Sequence, residues 1–363
     1  MRKKVLFLVN HDVVIYNFRK EIVESLIEHG HDVIISSPYG ERIDDLIAIG
    51  CKYEKIEFDR HGINVFNELK LIKYYKNLIK RVQADVVLTF TIKPNIYGGM
   101  ASKSLGIPYI ANITGLGTAV ENDGIMQKIT TILYKNAFKN INRVFFQNEE
   151  NMNFFKKKNI ATNKHKLLPG SGVNLNDFKL LDYPKDDVIE FVFISRIMKE
   201  KGIDEYLEAA KFIRNKYPNT RFHICGFCEG DYENKLFDYH NSELIIYHGM
   251  VRDIREILKK VHCTIHPTYY PEGMSNVLLE SAASGRPLIT TNRSGCREII
   301  DNNVTGYLIE EKNSEDLILK IEEFINLGYQ LKKNMGLNGN EKVKREFNRN
   351  IVVDEYIKEV HNL

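Results

Sequence analysis

The stretch PEGMSNVLLES, Pro271 to Ser281, carries two glutamates eight positions apart: Glu272 just before Gly273, and Glu280 beyond a run of aliphatic residues. The pattern predicts a loop and then a helix that begins near Met274 or Ser275. Backbone N–H groups from Gly273 through Met274, Ser275 and Asn276 would then point outward at a helix start, where an anion is favoured. Gly273 allows a ligand close to the backbone. Glu272, in the loop, can accept hydrogen bonds from sugar hydroxyls. Glu280 lies inside the helix, but helical side chains lean toward the N-terminus, so its carboxylate can accept two hydroxyls of a ribose. The plainer alternatives are a Glu272 that complements the helix dipole and a Glu280 on the surface. The second is weak, because Val277, Leu278, Leu279, Ala282 and Ala283 surround it and a buried glutamate needs a partner.

A second constellation precedes this one. In FVFISRIMKEKGID (191–204), Arg196 lies just past a strand, and Lys201-Gly202 opens a helix five residues later. A guanidinium, an ammonium and the N–H groups of a helix start suit a diphosphate; the plain alternative is a solvated basic loop.

Both constellations need strand ends to hold them. Apolar runs at 4–9, 32–37, 84–90, 108–113 and 143–148 alternate with helical patterns, which means βαβ units and parallel sheets. A Gly-, Asn-, Asp- and Pro-rich linker at 168–187 interrupts the alternation. It resumes with strands at 190–195, 221–225, 243–249, 263–267 and 287–291, and helices near 203–216, 252–261 and 275–284. The expected fold class is α/β: two doubly wound, Rossmann-like domains facing across a cleft, with ligands at the carboxyl ends of strands. The expected boundaries are 1–170, 171–345 and a C-terminal helix at 346–363 that crosses back to the first domain.

Composition narrows the function. The 363 residues are 43% hydrophobic and 27% charged, an ordinary globular balance. No apolar run reaches the ~18 residues that cross a membrane. Val5–Val9 is shorter than the ~7–15 residues of a signal-peptide core, so a cytoplasmic location is expected, at the inner face of the cell membrane. The five cysteines include one CxxC, Cys225 and Cys228, without the second pair a zinc site needs; free structural thiols are expected. Residues 1–170 hold 25 Lys and Arg against 17 Asp and Glu, net +8, and the remainder is net −5. A basic half implies an anionic neighbour. The segment NELKLIKYYKNLIKRV (67–82) places Leu69, Ile72, Tyr75, Ile79 and Val82 on one helical face and Lys73, Lys76 and Lys80 on another, and FFKKKNIATNKHK (154–166) adds basic charge. These read either as a contact with an anionic membrane or as solvated faces. No nucleic-acid-binding module is recognised.

Taken together, Arg-x4-Lys-Gly after one strand and Glu-Gly-x6-Glu after another resemble the GT-B nucleotide-sugar glycosyltransferases of the retaining branch called family 4. The resemblance spans most of the chain and is strongest from Gly170 to Glu310. It implies that Arg196 and Lys201 neutralise the donor diphosphate, that Glu272 and the backbone of Gly273–Asn276 place the donor sugar, and that Glu280 holds the ribose. On the acceptor side the first strand is followed by VNHDVVIYNFRKEI, without glycine, where Asn17 resembles a bacterial subset that builds surface polysaccharides such as capsule or O-antigen. Lys93, in TFTIKPNIYGG, and Gly115 and Gly117, in NITGLGTAVEND, mark two further loops after strands. Gly115-Leu116-Gly117 stands where many relatives carry a histidine. The implied reaction is retaining transfer of a hexose or N-acetylhexosamine from a nucleotide sugar, a UDP-sugar by preference, to an undecaprenyl-diphosphate-linked saccharide. It needs no cofactor and no metal, and no Asp-x-Asp motif stands in a suitable loop. The alternatives are a GT-B enzyme with a soluble acceptor, of sugar-phosphate synthase or phosphorylase type, and a non-catalytic GT-B scaffold. A dehydrogenase is disfavoured for want of GxGxxG.

Overall fold

Among the described residues, thirteen parallel strands carry the two constellations, and they fall into two sheets. The structure is a computed structural model describing residues 1–56, 65–117, 120 and 124–363. It divides into two units. One comprises Met1–Gly172, Pro271–Met274 and Asn350–Leu363; the other comprises Val173–Tyr270 and Ser275–Arg349.

The described residues of the first unit form seven strands: β1 Lys4–Leu8, β2 Asp32–Ser37, β3 Lys52–Lys55, β4 Val86–Phe90, β5 Tyr109–Ile113, β6 Arg143–Phe146 and β7 His165–Leu167. Their order is β3-β2-β1-β4-β5-β6-β7. Central strands such as Val86–Phe90 are buried throughout, as expected when helices cover both faces of a parallel sheet. β3 (KYEK) and β7 (HKL) lie at the two edges. Being polar and short, they have no apolar run by which to be found in the sequence. Residues 350–363 close one face: Tyr356 lies 4.7 Å from the Phe145 ring and 6.2 Å from Phe90. Arg143 Nε donates to Glu359 at 2.8 Å and Lys3 Nζ to Val360 O at 2.6 Å.

The helix Val65–Val82 buries Leu71, Tyr75, Leu78 and Ile79, whereas Leu69 is 60% exposed. Its core face is therefore rotated from the one expected, because Leu71 and Leu78 bring more apolar surface inward than Leu69.

The second unit has six strands: β8 Ile189–Ile194, β9 Thr220–Cys225, β10 Ile246–Tyr247, β11 Cys263–His266, β12 Leu288–Thr291 and β13 Gly306–Ile309. Their order is β10-β9-β8-β11-β12-β13. The helix Ile203–Lys216 buries Ile203, Tyr206, Leu207, Ala210 and Ile213 against them, with Phe191 and Phe222 stacked at 5.0 Å beneath. The helix expected near 252–261 is a single turn, Arg255–Leu258. Asp253 ties its own carboxylate to Arg255 N at 3.1 Å and Arg255 Nε at 2.7 Å, which starts the turn late. All five cysteines are free thiols. Burial pushes the Cys51 and Cys225 thiols up to about 12, which makes them inert packing residues.

In each sheet the chain order reverses beside one strand, between β1 and β4 and between β8 and β11. At such a point neighbouring loops part and leave a crevice at the strand ends.

Candidate functional site

In the second unit the crevice is built from the loops after β8, β9, β11 and β12. Three backbone hydrogen bonds join the first two loops: Ser195 N to Cys225 O at 3.1 Å, Ile197 N to Phe227 O at 2.9 Å and Glu229 N to Ile197 O at 2.9 Å. Tyr269 N donates to Glu200 O at 2.9 Å and so brings the loop after β11 alongside. Gly202 makes this possible. Its φ of +79° is left-handed, and a Cβ there would lie 2.1 Å from Pro267 O. Only glycine lets the helix Ile203–Lys216 begin this close to the β11 loop.

Arg196 and Lys201 are thereby drawn to one aromatic ring. Arg196 Cζ lies 5.5 Å and Lys201 Nζ 4.8 Å from the centroid of Tyr270, within cation–π reach. Lys201 is only 7% exposed, in a short 3-10 turn at Lys199–Lys201. Arg196 also pairs with Glu229, Nη1 to Oε2 at 2.5 Å. Two cations side by side on an aromatic ring form a positive seat for an anion. Tyr270 and Glu229 are absent from the sequence expectation. Tyr270 was nonetheless within reach of it, next to the glutamate motif in HPTYYPEG.

The helix expected near 275–284 spans Asn276–Ala283, with Ser275 at its N-cap. Met274 and Ser275 are buried. The N–H of Ser275 is already taken by Gly295 O at 2.8 Å, a contact the local motif does not reveal. Glu298 holds that loop in place, accepting from Ser294 Oγ at 3.0 Å and Gly295 N at 2.7 Å. Asn276 Oδ1 is buried and has no hydrogen-bond partner among the described residues.

Glu280 is half-buried. Burial pushes its carboxyl up to about 7, and the positive charge of Arg349 opposes this only in part. Among the described residues its carboxylate has no hydrogen-bond donor. A carboxylate in this position can accept further hydrogen bonds.

Glu272, Gly273 and Met274 pack within the first unit. Asn148, just past β6, donates through Nδ2 to Glu272 O at 3.0 Å and to Gly273 O at 2.6 Å. Its Oδ1 also caps the helix Glu149–Lys157 through Asn151 N at 2.9 Å. A Cβ on Gly273 would lie 2.2 Å from Gln147 Oε1 and 2.3 Å from Thr114 O, so the backbone passes here without room for a side chain. Gln147 and Asn148 are missing from the sequence expectation. Their signal was a pair of amides at the carboxyl end of RVFFQN, where ligand-facing residues are sought.

The expected acceptor-side residues all lie in the first unit. Asn17 is exposed on the helix Asp12–Glu28. Lys93 pairs with Glu68, Nζ to Oε1 at 3.1 Å, and precedes a five-residue π-helix, Pro94–Gly98. Gly115 and Gly117 have φ of +144° and +68°, and Gly115 lies beside the Pro271 and Gly273 backbone. Of the expected loop 112–123, residues 118, 119 and 121–123 lie outside the described residues. Thr91, between β4 and the π-helix, is left-handed at φ +67°, uncommon for a β-branched residue and characteristic of functional loops.

Comparison with known proteins agrees with this architecture. A family model for glycosyl transferases group 1 matches residues 179–342, and one for glycosyl transferase 4-like domains matches residues 4–148. Over 98% of this chain and 97% of the relative, the sequence is 27% identical to a Campylobacter jejuni enzyme, N,N'-diacetylbacillosaminyl-diphospho-undecaprenol alpha-1,3-N-acetylgalactosaminyltransferase. It is also 27% identical to an Escherichia coli UDP-Gal:alpha-D-GlcNAc-diphosphoundecaprenol alpha-1,3-galactosyltransferase, over 78% of this chain and 79% of the relative. Among solved structures, Anabaena HepE in complex with UDP and glucose superposes with a TM-score of 0.81, 16% identity and full coverage of both chains. A glycosyltransferase from Rickettsia africae gives 0.80 and 21% identity over 98% of this chain and 97% of that one. With both halves matched and the double-sheet fold shared, the chain belongs to the group 1, family 4 glycosyltransferases of GT-B fold.

Proposed function

We propose that this glycosyltransferase moves a hexose or N-acetylhexosamine from a nucleotide sugar, a UDP-sugar by preference, to an undecaprenyl-diphosphate-linked saccharide, with retention and without a metal. One observation carries the reading: Arg196 and Lys201 stand together on Tyr270 at a strand end, in the same unit as Glu280, whose carboxylate has no hydrogen-bond donor among the described residues. The first pair suits a diphosphate and the second group suits the ribose of the same nucleotide. Glu272, its backbone pinned by Asn148, is assigned to the donor sugar, with the backbone of Gly273, Met274 and Asn276; the N–H of Ser275, expected to join them, is held by Gly295 O. The choice of acceptor rests on the printed activities of the Campylobacter and Escherichia relatives.

In the transfer the sugar C1–diphosphate oxygen bond breaks while C1 bonds the acceptor hydroxyl oxygen on the same face. The acceptor proton passes to the departing phosphate oxygen, so no protein base is required. Negative charge grows on the diphosphate, and Arg196 and Lys201 stabilise it. Arg196 must exchange Glu229 for phosphate to do so, an inexpensive step for an exposed pair.

The test is transfer of radiolabelled sugar from a panel of nucleotide donors to a polyprenyl-diphosphate-linked saccharide, with EDTA present and the product anomer read by NMR. Transfer with an α linkage from an α-linked donor is expected. Failure of every donor both to react and to bind folded protein would sink the proposal.

A further inference from the structure

The loop after β12 holds the donor segment at both of its ends. Arg293 Nε donates to Tyr270 O at 3.1 Å, and Gly295 O accepts from Ser275 N at 2.8 Å. Between those two points lie only Pro271, Glu272, Gly273 and Met274. The first point carries the ring shared by Arg196 and Lys201. The second is the N-cap of the helix that bears Glu280. The spacing between the diphosphate seat and the helix start is therefore set by residues 292–298, which lie outside both sequence constellations.

This loop is itself anchored. Asn292 N donates to Ile309 O at 2.8 Å, and Arg293 Nη1 reaches both carboxylate oxygens of Glu311 at 3.2 Å. Ser294, Gly295 and Cys296 are buried. Gly295 is left-handed at φ +90°, a conformation that costs any residue with a Cβ. Glu298 fixes it there: Oε1 accepts from Ser294 Oγ at 3.0 Å and Oε2 from Gly295 N at 2.7 Å. The second bond runs back three residues, as in a capping box. Arg297 Nε stands farther off, 4.0 Å from Oε1. A glutamate that only capped the short turn Arg297–Ile299 would end its influence there. Here the residue it holds passes the constraint on, because the Gly295 carbonyl is the acceptor for Ser275 N.

We infer that Glu298 is a positioning residue for the transfer: through Gly295 and Ser275 it sets where the segment bearing Glu272 enters the donor helix, without touching the donor. The inference rests on the donor-sugar role proposed for Glu272. The groups assigned to the nucleotide have other supports. Arg196 and Lys201 stand on the Tyr270 ring, and the Arg293 bond to Tyr270 O does not pass through Glu298. Glu280 lies a full helical turn beyond Ser275. Loss of the Glu298 carboxylate should therefore disturb the sugar more than the UDP portion of the donor.

E298A and E298Q test this against wild type, in the full chain. The readouts are UDP affinity by calorimetry, kcat with the best nucleotide sugar, and hydrogen exchange of peptides covering 271–279 without ligand, with thermal unfolding as the control for folding. E298A is expected to keep UDP affinity within about threefold while kcat falls about 10- to 100-fold, the loss that a misplacement of about 1 Å causes. Its exchange should quicken at 271–279 and stay unchanged in the helix Ile203–Lys216. E298Q keeps an acceptor for Gly295 N, and its amide can donate to Ser294 Oγ, so kcat and exchange should return close to wild type. An unchanged kcat in folded E298A, a fall in UDP affinity as large as the fall in kcat, or an E298Q no better than E298A overturns the inference. Should E298A not fold, S294A removes one of the two donors and is read in the same way, with a smaller loss expected. If wild type binds UDP but transfers from no donor, the proposed function falls. Exchange at 271–279 then decides alone: faster in E298A upholds the positioning, and unchanged overturns it.

Discussion

Replacing Glu280 by glutamine should stabilise the ligand-free protein and weaken it as an enzyme. The Glu280 carboxyl ionises near 4.5 in the unfolded chain, and burial raises it to about 7 in the folded one. The folded state therefore holds the proton more tightly, and ionised Glu280 opposes folding. The cost is complete above the folded value and disappears as pH falls through the unfolded value. At about 1.4 kcal/mol per pH unit, it reaches on the order of 3 kcal/mol at pH 8 and less than about 1 kcal/mol at pH 5. A neutral glutamine escapes the charge penalty but still buries an amide, so E280Q should gain about 1–2 kcal/mol at pH 8. For a domain of this size that is roughly 3–6 °C in Tm. Thermal unfolding without nucleotide, at pH 8 and pH 5, measures it; the difference between wild type and E280Q should shrink at pH 5. The same variant should lose most of the Tm rise that UDP gives wild type, because a ligand stabilises only by what it binds. A glutamine variant less stable than wild type at pH 8 would refute the reasoning, since Glu280 would then be a satisfied structural group.

Other perturbations separate the remaining roles. R196A and K201A should each lower kcat by about 10²–10³, the usual loss when one charge-stabilising group is removed from a transition state; steady-state kinetics with the best donor would show it, and a change confined to KM would not fit. G273A should fold with about 1–3 kcal/mol less stability and lose activity disproportionately. Its Cβ would meet Thr114 O at 2.3 Å and displace the Glu272 backbone; retained kcat in a folded variant would contradict the assignment. E229Q frees Arg196 from an exposed pair, so donor KM should change by less than about fivefold, and a large loss of kcat would mean that Glu229 acts in the transfer.

Much of the architecture was legible because parallel strands covered on both faces are written as continuous apolar runs, and because glycine before a helix start marks a close approach. VLFLV and VVLTF needed no partner to be recognised, and the helix Ile203–Lys216 stands where its periodicity put it. The polar edge strands β3 and β7 were hidden, because their stability comes from a neighbour's hydrogen bonds rather than from their own side chains. The apolar face expected for 67–82 holds at Tyr75 and Ile79 but not at Leu69, because Leu69 and Leu71 compete for the core and only packing decides between them.

The site divides along the same line. Residue types and spacing mark Arg196, Lys201, Glu272 and Glu280 as candidates, since cations and carboxylates after strands have few structural uses. Only the tertiary structure decided that both cations share the Tyr270 ring, that the Ser275 N–H is already engaged by Gly295, and that Asn148, more than a hundred residues away, holds the backbone of Glu272 and Gly273. Such facts are contacts between distant segments, set by competition for limited buried surface, and no local stretch of sequence encodes the outcome of that competition.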